Sequence, residues 1–234
     1  MTEENSRLVQ LGEKMIKQVL EFGINGGGPL SGAEQVAEEH LLSADGDRER
    51  AIERLIATHL RMAAASGFVT GLGGVALLPV MVPASLGGLH IIATRMTAAI
   101  AHLRGYDIST QEVQSAVGIC LLGASGAAAL QKAGVEIGRK STAAALQKVP
   151  GRVLIEINKK VGFRLVTKAG QKGAINLVRI VPVVGGGVGA TVDVISCRAI
   201  ATYALTTFEP NGTAVVYADA EIIDAEVVYP ATEA

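Results

Sequence analysis

Between Arg61 and Arg95 the chain carries no Asp, Glu, Lys or Arg. A run that long could cross a bilayer, which needs about 20 apolar residues. It also holds Pro79, Pro83 and six glycines, which work against one straight helix. The stretch therefore reads as two helices joined near residues 78–83, an apolar hairpin packed inside protein or inserted shallowly in lipid. Two later regions share this character. Residues 113–131 are uncharged and follow GYDIST, where Ser109 or Thr110 can cap a helix. The segment VPVVGGGVGATVDVISCRAIATYALTTF reads as a proline–glycine corner followed by a helix.

Hydrophobic residues make up 49% of the 234 residues, but aromatics only 3%, and tryptophan is absent. Small aliphatic side chains and glycine must then fill the interior, which favours close helix-on-helix packing over sheets rich in aromatic and β-branched pairs. The expected fold is all-α: one compact bundle of amphipathic and glycine-rich apolar helices. A mean hydropathy of +0.38 lies between ordinary soluble chains and polytopic membrane proteins.

The flanks are more conventional. Leu8, Leu11, Met15, Val19 and Phe22 recur at helical spacing with charged residues between them, and GINGGGPLSG ends that amphipathic helix. Residues 34–42 read as a short helix broken at Asp45-Gly46-Asp47, with Asp47 as N-cap of a helix running through Met62. After Phe208, EPNGT marks a turn, and the acidic remainder reads as a short strand or a disordered tail. This divides the chain into an N-terminal helix and loop (1–30), a helical domain (31–208) and an acidic tail (209–234).

Charge is blocked along the chain. Residues 1–61 carry seven basic and eleven acidic groups, net −4; residues 132–179 carry eleven basic and two acidic, net +9; residues 209–234 carry six acids and no base. Within the basic block, Lys160, Arg164, Lys168 and Lys172 recur every four residues and would form one stripe on a helix. Like charges at that spacing destabilise an isolated helix by about 0.2–0.5 kcal/mol per pair, so the stripe expects an anionic partner or an acidic surface within the fold. The bland alternative is an ordinary solvated face.

The stretch GFVTGLGGVALLPVMVPASLGGLHIIATRMTAAIAHLRGYD resembles the signature region of the EcsC protein family. INKKVGFRLVTKAGQKGAINLVRIVPVVGGGVGATVDVISCRAI is similar to that family's C-terminal half, and with AEQVAEEHL the resemblance covers roughly residues 31–208. It implies a mostly helical, bacterial, membrane-associated or cytoplasmic protein. The family takes its name from a gene beside an ABC transporter. The resemblance supplies no catalytic residues.

Enzyme chemistry finds little support in the residues. Gly185 to Ala190 formally matches G-x-G-x-x-A, but a dinucleotide site needs that turn after a strand in a βαβ unit, and the flanks read as helices. There is no P-loop, G-x-S-x-G or H-E-x-x-H, so neither a cofactor nor a catalytic residue is expected. His40, His59, His90 and His102 form no metal-ligand spacing with Cys120 or Cys197, so no metal is expected either. Gly67/Gly71, Gly134/Gly138 and Gly185/Gly189 are small-xxx-small pairs that read as tight crossings inside a bundle. Arg95, Asp193 and Arg198 interrupt apolar helices and read as structural polar contacts. Arg95 should find a carboxylate such as Asp107 or Asp193, or several backbone carbonyls, because an unpaired buried charge costs several kcal/mol.

The basic stretch has one aromatic, Phe163, and no nucleic-acid module, so no nucleic acid is expected. Phospholipid head groups fit better, since each basic residue near an anionic leaflet contributes about 1 kcal/mol. The N-terminus lacks a signal-peptide pattern. The reading is a non-enzymatic protein at the inner face of the cell membrane. It would bind anionic lipid or an acyl chain through Lys160, Arg164, Lys168 and Lys172 and the apolar hairpins. The alternative is a soluble adaptor docking an acidic partner such as a transporter component.

Overall fold

The computed structural model describes residues 3–72, 78–122 and 182–210, and within them the fold is all-α. Six helices follow one another: α1 (Glu3–Asn25), α2 (Ala33–Ser43), α3 (Arg48–Leu72), α4 (Leu78–Leu103), α5 (Gln111–Cys120) and α6 (Pro182–Thr207). The basic stripe at Lys160, Arg164, Lys168 and Lys172 lies outside the described residues, as does the acidic tail beyond Pro210.

Local signals set most of the helix ends. Asn25 closes α1, and Gly26 follows at φ +77°, a left-handed conformation that L side chains rarely adopt. A Cβ there would also lie 2.4 Å from the Leu30 carbonyl oxygen, so the tight loop into α2 requires glycine twice over. Asp47 caps α3, its Oδ1 accepting from the Arg50 amide at 3.0 Å. Of the two candidate caps before α5, the fold uses Thr110, whose hydroxyl accepts from the Val113 amide at 3.4 Å.

Three sequence expectations shift. The break in the apolar hairpin precedes Leu78: Pro79 sits in the first turn of α4, where its missing N–H had no helical partner to lose, and Pro83 lies inside the helix. Likewise Pro182 opens α6, and Gly185, Gly186 and Gly187 are helical rather than a corner. That placement removes the dinucleotide reading, which needs those glycines in a turn after a strand. In α1 the buried stripe is Ile16, Val19, Leu20 and Ile24, while Phe22 is exposed. Its ring instead stands over Gly27, within 2.8 Å of where a Cβ would be.

Helix α4 is the hub, packing against all five other helices. Every residue from 93 to 101 is buried, as expected of a helix apolar all round. Helix α3 runs antiparallel to both α4 and α6. At one end Arg104, just past α4, bonds Glu49 of α3 at 2.8 Å and the Phe208 carbonyl just past α6 at 3.3 Å; toward the other, Gly67 of α3 meets Gly189 of α6. A Cβ on Gly67 would lie 2.5 Å from the Gly189 carbonyl oxygen, so the small residues read from the sequence do let two backbones touch. Gly23 plays the same part between α1 and α4, where a Cβ would strike the Thr94 methyl at 2.4 Å. The core is closed at the Arg104 end by Tyr106 and Phe208, edge to face at 5.3 Å.

Candidate functional site

Two features stand out from this scaffold: a buried polar hub on α4 and exposed apolar side chains on α3 and α6. The hub centres on Arg95, which is buried with 6% of its surface exposed. Its Nε–H donates to His59 Nε2 at 3.3 Å, one terminal nitrogen to the Ser31 carbonyl at 3.5 Å and the other to Met62 Sδ at 3.3 Å. All three acceptors are uncharged. Neither Asp107 nor Asp193, the expected carboxylates, is among them.

Packing explains the difference. Asp107 lies past the end of α4, exposed, where the Ser109 hydroxyl and amide bond its Oδ1 at 2.6 and 2.9 Å and hold its carboxyl below the usual value. Asp193 lies on α6 a turn before Cys197, the residue that meets Met96 of α4 at 3.9 Å. Its Oδ2 is buried with no hydrogen-bond partner among the described residues, and burial pushes the carboxyl up to about 6. Arg198 is exposed on α6 and its carbonyl accepts from the Thr202 hydroxyl at 3.1 Å.

His59 completes the hub. Its Nδ1 sits 2.8 Å from the Leu55 carbonyl and so carries the proton, which leaves Nε2 as an acceptor for Arg95. Burial, with the Arg95 charge assisting, drives His59 down to about 4 against the opposing bond to Leu55. Burial also lowers Arg95, while the charge of Glu39 acts the other way. The hub thus joins α3, α4 and the glycine-rich loop through a cation and a neutral imidazole. It contains no nucleophile: both cysteines are buried elsewhere, with Cys120 pushed up to about 12 and Cys197 to about 11, mainly by burial. Sequence reasoning marked Arg95 but missed His59, because the antiparallel α3–α4 pairing that joins residues 36 apart is not a local signal.

The second feature is chemically simpler. Phe68 and Val69 near the end of α3, and Val192 and Ile195 on α6, are exposed by 47%, 60%, 52% and 63%. They flank the Gly67–Gly189 crossing on the two helices that pack most extensively. Among the described residues no helix is long and apolar enough to cross a membrane.

The model of the EcsC protein family matches residues 8–209. The chain belongs to the EcsC family. The match begins within α1 and runs to the residue after Phe208, so it takes in all six helices. No curated protein and no solved structure matches this EcsC chain.

Proposed function

We propose that this EcsC-family protein is a non-enzymatic, peripheral membrane protein that binds anionic phospholipid or its acyl chain at the cytoplasmic face. The observation that carries this reading is the exposed apolar face of Phe68, Val69, Val192 and Ile195. Val192 and Ile195 lie on α6, whose first residue, Pro182, follows the basic block by three positions in sequence. Apolar side chains at an interface supply insertion, and adjacent lysines and arginines supply attraction to anionic head groups. The lack of a membrane-crossing helix among the described residues supports attachment from one side.

Vesicle flotation tests the proposal. The protein should float with anionic vesicles and stay behind with zwitterionic ones, and salt should weaken binding by screening. Changing Lys160, Arg164, Lys168 and Lys172 to Gln should weaken it by up to about 1 kcal/mol per residue. Phe68→Ser with Ile195→Ser should also lower binding, while stability moves by less than about 0.5 kcal/mol because both sites are exposed. A protein that never floats would defeat this reading in favour of the soluble adaptor.

A further inference from the structure

Helix α2 runs beside α4 in the same direction: the Ser31 carbonyl, just before α2, meets Arg95, and further along α2 reaches the last turn of α4. Glu34 and Glu38 stand four residues apart on one edge of α2, next to its buried face of Ala33, Val36 and Ala37. His102 lies in the last turn of α4. One ligand atom from each of Glu34, Glu38 and His102 falls within 4.8 Å of the others. Independently, His102 Nε2 is buried and has no hydrogen-bond partner among the described residues. A buried ring nitrogen is seldom left without a partner, and the His102 ring stands beside two carboxylates.

We propose that Glu34, Glu38 and His102 form a binding site for a divalent transition-metal ion of the Zn²⁺ or Mn²⁺ type. Two carboxylate oxygens suit Mn²⁺ and, with one imidazole nitrogen, borderline Zn²⁺, whereas Ca²⁺ and Mg²⁺ prefer oxygen alone. Separations within 4.8 Å are within reach of a shared ion at bonds of about 2.0–2.2 Å, and Glu34 is exposed and able to turn inward. Arg104, two residues after His102, is bonded to Glu49 and the Phe208 carbonyl. Three protein ligands leave a coordination position open to water or a ligand. The site goes beyond the lipid reading and lies apart from that face. Gly88 of α4 lies opposite Ser66 of α3, two residues before Phe68, and His102 is roughly 20 Å along the helix from it.

The experiment is a Zn²⁺ titration of the untagged full-length chain, stripped beforehand with a chelator, followed by calorimetry. One ion should bind per chain. The Glu34→Gln/Glu38→Gln double variant keeps two good helix formers at exposed or edge positions, so circular dichroism should match the parent. Losing an outer-shell partner alone costs metal sites about 10–100-fold, and losing two ligands should weaken binding by at least about tenfold. In a parallel Co²⁺ titration, His102→Gln should alter the visible spectrum, which reports the imidazole ligand. Equal Zn²⁺ affinity in the double variant, or no saturable one-to-one binding by the parent, would overturn the proposal. Vesicle flotation of the same double variant should be unchanged, so failure here is distinguishable from failure of the lipid reading.

Discussion

Helices α4 and α6 invite comparison because each is 26 residues long and almost free of charge, yet they meet opposite fates. From Ala93 to Ala101, α4 is buried on every side. Over the same length α6 keeps one face in the core, through Cys197, Ile200, Ala201 and Ala204, and leaves Val192 and Ile195 in the open. Their polar interruptions differ as well. Arg95 of α4 is enclosed and bonded to neutral partners, whereas Asp193 of α6 keeps a buried oxygen without a described partner. Hydropathy alone therefore does not say whether an apolar helix is core or surface. The number of neighbours that the topology supplies decides it, and among the described residues α4 has five helices around it.

His59, the α3 partner of Arg95, and Asp193 should respond to acid with opposite signs, which gives the largest expected effect. His59 lies at about 4 in the fold against an ordinary 6.5. Between those values the unfolded chain takes up a proton that the fold refuses, so this stability is present above about pH 6.5 and lost as pH falls toward 4. Asp193 lies at about 6 against 3.8, so its contribution is present below pH 3.8 and lost as pH rises through about 6. Replacing His59 by Gln, which can still accept from Arg95, should remove the first dependence. Relative to the variant, the parent should lose on the order of 3 kcal/mol between neutral pH and pH 4 in urea unfolding. Asp193→Asn should shift the profile the other way, and by less because the residue is only half-buried. Parallel profiles for all three proteins would break the contrast between a matched and an unmatched buried group.

The next effect concerns how α6 is held. A Cβ on Gly67 would lie 2.5 Å from the Gly189 carbonyl oxygen and 2.9 Å from the Ala190 nitrogen, both backbone atoms that a methyl group cannot push aside cheaply. Gly67→Ala should therefore destabilise the protein by about 1–3 kcal/mol, the range for overpacking a tight contact, as a lower midpoint at an unchanged denaturant slope. A neutral substitution would mean that α3 and α6 do not touch backbone to backbone in solution.

That crossing shows what the sequence made legible. Gly67 and Gly189, one from each of two glycine pairs, marked tight packing because a missing side chain is a local property. The Asp47 and Thr110 caps and the loop at Gly26 were readable for the same reason. Helix starts at Leu78 and Pro182 were not, since proline both breaks helices and opens them, and only the surroundings decide. The shift of the α1 stripe toward Ile16, Leu20 and Ile24 came from its packing on α4, where Gly23 allows the close approach. Partners of buried polar groups were the least legible. Arg95 with His59, and Glu34 and Glu38 with His102, join residues that meet only once α2, α3 and α4 are side by side.

The smallest effect tests the outward side of α6. Gly187 is helical and exposed, has no atom within 4 Å of an added Cβ, and does not adopt positive φ. Glycine inside a helix is less favourable than alanine by roughly 0.5–1 kcal/mol, because the unfolded chain has more freedom to lose. The Gly187 carbonyl accepts from the Thr191 hydroxyl at 2.8 Å, a backbone contact that alanine retains. Gly187→Ala should therefore stabilise the protein by that amount, two residues from the position where Gly189 makes the crossing with Gly67. Thermal unfolding should show a rise of a few degrees, about what such a gain produces in a domain of this size. A methyl group at 187 that lowered the midpoint instead would mean that another surface already covers this side of α6. The open face that separates α6 from α4 would then be an internal contact.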